Sequence, residues 1–204
     1  MSLKLNGSSS GFTELDAPAA AGSNTITLPA SNGSADQFLK NGSTAGTLEF
    51  ATHRGFATYA IIAEQQTSGT NGGTFTSGAW RTRSLNTEIT DPDGIVSISS
   101  NAFTLQAGSY LIEWSAIAFQ VRRHRTKLRD TTNSSDIGFG LSYFTDESTN
   151  ATNASSGSAR LTITSATTYE LQHRASSTES QGFGTNTGFG DPETYALVKI
   201  YKES

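Results

Sequence analysis

Residues 11–50, GFTELDAPAAAGSNTITLPASNGSADQFLKNGSTAGTLEF, are dominated by Gly, Ser, Ala, Asn and Thr. Their apolar side chains, Phe12, Leu15, Ile26, Leu28, Phe38, Leu39, Leu48 and Phe50, stand too far apart to build a core. Fixing the backbone costs roughly 1–2 kcal/mol per residue, so a stretch like this orders only when something else covers those side chains. The chain is therefore expected to be made for attachment, with residues 1–56 as an N-terminal attachment arm or short stalk and residues 57–204 as a head. Phe12, Leu15, Ile26, Leu28, Phe38 and Leu39 are the arm residues expected to bury against neighbouring chains.

Near Thr58 the pattern changes to apolar runs of strand length separated by Gly, Asn, Asp and Ser clusters, the punctuation of an all-β chain. Candidate strands are 58–64, 79–85, 95–99, 102–105, 109–121, 123–129, 137–144, 159–164, 168–174 and 195–202. Period-two alternation is visible in Tyr110, Ile112 and Trp114, and again in Val198 and Ile200. The expected fold is all-β, an antiparallel jelly-roll sandwich in the ten-strand range. A jelly roll often leaves an aromatic-rich outer face that threefold association buries. Tyr59, Tyr110, Phe119, Tyr195 and Tyr201 are candidates for such a trimer core, with burial inside their own chain as the alternative; for Trp114, on its strongly alternating strand, the intramolecular core is favoured.

Composition excludes several functions. Among 204 residues there is no cysteine, so disulfides, thiolate metal sites and thiol catalysis are absent, and no redox compartment is implied. The net charge of −4 gives no bulk attraction to nucleic acid. The longest nearly apolar runs fall far short of the about 20 residues of a spanning helix, and MSLKLNGSSSG lacks a signal-peptide core, so neither membrane insertion nor cleavage of an export signal is expected. His53, His124 and His173 lack metal-ligand spacing and no Ser/Asp pairing accompanies them. Asp146 and Glu147 are adjacent and point apart in an extended chain, a poor acid/base pair. No enzyme, metal or cofactor is expected.

Three segments stand out as candidate surfaces. Arg122 to Arg129 carries five of the fourteen basic residues, and in a strand Arg123, Arg125, Lys127 and Arg129 share one face. That ridge suits an anionic polysaccharide, phosphorylated lipid sugars or an acidic patch on a neighbouring protein, or is a solvated face that discourages edge pairing. GFGTNTGFG, residues 182–190, places Phe183 and Phe189 in a flexible loop, either as plugs or as a contact surface. Residues 145–157 and 176–191 are the candidate recognition loops. Asp91-Pro92-Asp93-Gly94 reads as a β-turn, since Pro presets φ and Gly tolerates positive φ, rather than as a calcium loop.

Two resemblances add to this reading. Phe103-Thr104-Leu105-Gln106-Ala107-Gly108-Ser109-Tyr110, then Ser158 to Ile163 followed by Tyr169-Glu170-Leu171-Gln172-His173, then Tyr195 to Tyr201, resemble in that order strands of the tumour necrosis factor and complement globular-head superfamily. Glu14-Leu15-Asp16-Ala17-Pro18 with Ala21-Gly22-Ser23-Asn24-Thr25-Ile26-Thr27-Leu28-Pro29 resembles segments of tail-fibre and other virion proteins of bacteriophages, especially those of cyanobacteria and marine bacteria. The first resemblance implies a trimeric jelly-roll head. The second implies a phage structural protein, located in the virion and assembled in the host cytoplasm, that docks by its arm on tail, baseplate or capsid proteins. Its expected role is a fibre or knob contacting a host polysaccharide or protein receptor; a capsid decoration protein is the alternative. A polysaccharide depolymerase, which would need paired carboxylates on a large scaffold, fits poorly.

Overall fold

The computed structural model describes residues 3–6, 8–15, 20, 22–35, 37–52 and 55–203. Asp16, Ala17, Pro18 and Ala21 of the leader string, and His53, lie outside them. The chain divides into two compact units, Met1–His53 and Arg54–Ser204.

The first unit is not uniformly extended. It holds two antiparallel hairpins, β1 (Leu3–Asn6) with β2 (Phe12–Leu15), and β3 (Gln37–Asn41) with β4 (Leu48–Thr52). Thr27 adds a parallel bridge beside Thr47, its N–H donating to Gly46 O at 2.7 Å. Lys40 pairs with Glu49 at 2.7 Å across the second hairpin. Backbone pairing thus supplies local order, yet no residue up to 52 whose burial is described is buried. Phe12, Leu15, Ile26, Leu28, Phe38 and Leu39 all stand exposed.

The second unit is a two-sheet antiparallel jelly roll. Its strands are β5 (Phe56–Gln66), β6 (Arg81–Thr82), β7 (Thr87–Thr90), β8 (Val96–Ser99), β9 (Ala102–Leu105), β10 (Gly108–Phe119), β11 (Arg122–Asp130), β12 (Ser135–Phe139), β13 (Tyr143–Thr145), β14 (Thr152–Ile163), β15 (Thr167–Ala175) and β16 (Glu193–Glu203). One sheet runs β14-β10-β16-β5-β7 and the other β12-β11-β15-β9-β8, with β13 beside β11 and β6 beside β15. The connections β9 to β10, β10 to β11, β14 to β15 and β15 to β16 each cross from one sheet to the other. Each strand therefore offers one parity of side chains to a shared interior, where Ile62, Phe103, Ile112, Leu128, Leu171 and Ile200 are fully buried.

Local chemistry explains the connections. Ser100 and Asn101 both take positive φ in the two-residue link of the β8–β9 hairpin, the handedness that matches strand twist. At the 91–94 turn both carboxylate oxygens of Asp91 accept backbone N–H groups, from Ile95 and Val96, and Gly94 sits at φ 64°. That carboxylate is already occupied by its own turn.

Three departures from the sequence expectation have physical causes. β14 begins at Thr152 rather than near 159, because β10 presents a full row of backbone donors and acceptors and pairs with it up to Phe119↔Thr152. The segment TNASSG lacks apolar alternation because its small residues make room for a ring: a Cβ at Gly157 would run into the Trp114 indole. Half of the expected 145–157 loop is therefore strand. Residues 137–144 form two strands broken at Gly140, whose backbone lies against Thr126 and Ser155. β7 carries no apolar alternation and is added by its pairing with β5.

Candidate functional site: a cationic and aromatic groove

β11 starts immediately after a tight crossover in which Gln120 and Arg122 adopt positive φ and Val121 plugs the sandwich end. From there parity does the sorting. His124, Thr126, Leu128 and Asp130 point inward and are buried, leaving Arg123, Arg125, Lys127 and Arg129 on the outer face. The expected ridge thus shares one face, but its charges are not equivalent. Lys127 is buried beneath the Trp80 ring, 4.5 Å from its centroid, and donates to Asp136 at 2.8 Å. Arg129 shares the same carboxylate at 2.9 Å. The Lys127 hydrogen bond, helped by Arg129, holds the Asp136 carboxyl below the usual carboxylate range.

At the other end no acid intervenes. Arg125 lies over the Phe139 ring, its Cζ 4.3 Å from the centroid, and faces Arg174 of β15 directly across the ladder. These two and Arg123 line an open groove of about 800 Å³ whose walls carry Trp80, Tyr143 and Phe144, with Ser77, Ser142 and Ser176 at its margins. None of the three arginines has a carboxylate partner among the described residues.

Below the groove two histidines meet. His124 Nδ1 and His173 Nε2 lie 3.0 Å apart in the interior, with His124 stacked near Tyr143 and His173 against Phe75. Burial first, and the Arg83 charge second, push His124 down to about 4; the same causes hold His173 well below its ordinary value. Both rings are therefore neutral near pH 7. Arg83 is fully buried and donates to Glu64 Oε2 at 2.5 Å, to Ile117 O and to Phe183 O and Tyr195 O. Burial pushes the Glu64 carboxyl up and the Arg83 guanidinium down, and their mutual attraction opposes both.

The remaining expected site residues separate. Tyr110, Phe119 and Tyr195 are buried inside their own chain, so they leave the candidate trimer core; Tyr110 lies in the shared interior of the sandwich, and Tyr195 donates to Thr70 O at 2.6 Å. Trp114 is likewise interior, its Nε1–H bonded to Thr126 Oγ1 at 2.8 Å. Tyr59 and Tyr201 do face outward, opposite each other in the β5–β16 ladder. Phe183 is a plug stacked on Phe75, 4.4 Å between centroids, and capped by Arg83, so it leaves the candidate recognition surface; Phe189 is 84% exposed. Between them Glu193 accepts from the N–H groups of Gly188, Thr187 and Gly69, which holds its carboxyl down to about 2 and ties two loops together.

Sequence reasoning missed Trp80, Arg174, the histidine contact and the Arg83–Glu64 pair. A parity signal existed for the histidines, since outward Arg123 and Arg125 force His124 inward; no local signal marks Trp80 or Arg83.

Solved structures of several kinds are similar to part of this chain. The globular domain of zebrafish complement 1qA protein is 16% identical, with a TM-score of 0.48, covering 71% of this chain and 96% of that one. The PRD1 vertex protein P5 is 11% identical, TM-score 0.48, covering 74% and 99%. Eiger TNF from S. frugiperda is 10% identical, TM-score 0.48, covering 72% and 92%. No protein-family model and no curated protein matches the sequence. The functional reading therefore rests on the leader string and on the molecule's own surfaces.

Proposed function

We propose that this chain is a structural virion protein of a bacteriophage. Its head associates as a homotrimer and contacts the host surface as a fibre or knob, while residues 1–56 dock it on tail, baseplate or capsid proteins. The observation that carries the assembly is the outer face of the β14-β10-β16-β5-β7 sheet. Parity makes this the side away from the core, where an unpartnered antiparallel sheet is ordinarily polar. Here it carries Tyr59, Tyr201 and Leu111 in one cross-strand row, Ile61 in the next, and Leu197 in the third, with Phe56 packed on Tyr201 at 4.8 Å. Leu141, 60% exposed, extends the face past a groove of about 600 Å³ floored by Glu113, Ser115, Leu197 and Lys199.

A second copy of this chain is the occupant that fits. Glu113 and Lys199 stand opposite each other in the middle of the apolar rows, and Arg160 pairs with Glu203 at 2.6 Å near one end, so the face offers both signs of charge to the unlike surface that meets it about a threefold axis. The cationic groove belongs to the opposite sheet and stays open in such an assembly. Three heads on one axis give three weak contacts with a surface whose combined avidity exceeds any one of them. The exposed apolar residues of the first unit supply the docking contacts, and the leader's resemblance to phage virion segments supplies the address.

Sedimentation velocity of the full chain at micromolar concentration is expected to show a three-chain mass, and Leu111→Glu with Leu197→Glu to give monomer. A wild-type monomer would overturn the assembly. Imaging of purified particles tests the location: density at tail or baseplate fits the fibre reading, whereas density at capsid threefold positions replaces it with shell decoration.

A further inference from the structure

We infer that the groove lined by Arg123, Arg125, Arg174, Trp80, Tyr143 and Phe144 binds a carboxylate-bearing polysaccharide. The inference deepens the host-surface reading above and rests on it. Its starting point is an inconsistency within one ladder. β11 and β15 pair in register along their outer faces, and at one end the pairing is complementary: Arg129 faces Glu170, and both Lys127 and Arg129 hold Asp136. Two rungs away Arg125 faces Arg174, like charges directly opposite, an arrangement that ordinarily weakens a sheet. Arg123 extends the same sign. The strands that neutralise themselves at one end leave three guanidinium groups uncompensated at the other, inside a concavity.

The geometry of Arg125 shows what the charge waits for. The Phe139 ring, 4.3 Å from Cζ, covers one side of the guanidinium, and its N–H groups have no protein acceptor among the described residues. Its Nε–H is buried without an acceptor among the described residues, so a ligand in the groove would meet the terminal Nη groups. A planar guanidinium fork lining a groove matches a planar carboxylate in bidentate fashion, more specifically than a point cation matches any anion. The walls match the rest of a sugar: aromatic rings Trp80, Tyr143 and Phe144 offer flat apolar faces to C–H surfaces, and Ser77, Ser142 and Ser176 offer hydroxyls to hydroxyls. At about 800 Å³ and open along its length, the groove accommodates a short run of a polymer passing through rather than an enclosed small molecule.

The test uses the full-length protein and polygalacturonate oligosaccharides as the probe, with the same oligosaccharides carboxyl-reduced to galactose units and a sulfated dextran as comparison arms, in titration calorimetry. Polygalacturonate is expected to bind, weakening as salt rises; the reduced oligosaccharide is expected to bind on the order of tenfold more weakly or not at all. Arg125→Gln with Arg174→Gln is expected to abolish the difference, Arg125→Lys to recover only part of it, and Arg129→Gln, whose charge is already paired, to leave it intact. Equal binding of the reduced sugar overturns the inference, as does sulfated dextran binding equally well, which would make the groove a general polyanion surface. The reduced-sugar comparison needs no variant, so misfolding of a mutant cannot mask the result. Sedimentation of the same samples separates the two readings: a stable trimer that ignores polygalacturonate refutes the ligand alone, and a monomer refutes the assembly.

Discussion

Arg83→Met is the most informative single perturbation of the head. The side chain is fully buried and its guanidinium, 4.4 Å from the Phe183 ring centroid, joins β5 through Glu64, the end of β10 through Ile117 O, the 176–191 loop through Phe183 O and β16 through Tyr195 O. Methionine fills much of the volume and returns none of these donors. It leaves a buried carboxylate without its counter-ion, and removing one partner of a buried pair costs about 3–5 kcal/mol. For a protein of this size that corresponds to a fall in Tm of about 6–20 °C. The assay is urea unfolding followed by the fluorescence of the buried Trp114, at one fixed protein concentration because association shifts apparent stability. Arg83→Met with Glu64→Leu is expected to recover a large part of the loss, since exchanging both members of a buried pair for apolar groups is often neutral. A single variant within about 1 kcal/mol of wild type, or a double variant whose loss equals that of the two singles added together, would refute the view that this pair ties the end of the sandwich together.

Two further perturbations test other parts of the head. His124 has a folded pKa of about 4 against an ordinary 6.5, so the unfolded chain binds the extra proton first; stability is full above about pH 6.5 and falls with pH, by about 3 kcal/mol at about pH 4. His124→Gln should flatten the urea midpoint across that window, and an unchanged slope would refute the assignment; Glu193, held near 2, loses its contribution only as pH falls below the ordinary carboxylate range. Gly157→Val drives a branched side chain into the Trp114 ring and should cost about 1–3 kcal/mol with a loss of near-ultraviolet tryptophan signal, Gly157→Ala less; an unperturbed Gly157→Val would show that the ring is free to move aside.

Much of the head was legible because strand parity is a local property. Tyr110, Ile112 and Trp114 announce their shared side, and the observed β10 alternates as its sequence does. The ridge was legible for the same reason: alternation alone places Arg123, Arg125, Lys127 and Arg129 together. What parity cannot tell is which of two faces a sheet covers, or what stands opposite. Tyr59 and Tyr201 came to lie outside and Tyr110 and Tyr195 inside although all four are tyrosines on strands. Phe183 and Phe189 share an identical GFG context, yet one is packed beneath a guanidinium and the other is the most exposed large apolar residue described.

By itself the sequence determined the all-β class, the turn at Asp91, the contrast between a core-poor leader and a core-rich head, and the common face of the basic ridge, because each depends on residues near one another in the chain. Tertiary structure alone decided that β14 would pair with β10 through residues without apolar pattern, that Asp136 would silence Lys127 and Arg129, and that Arg174, forty-nine residues beyond Arg125, would stand directly across from it. A charge becomes available for binding only when no opposite charge reaches it. That is a property of neighbours in space, which the order of residues along a β chain does not disclose.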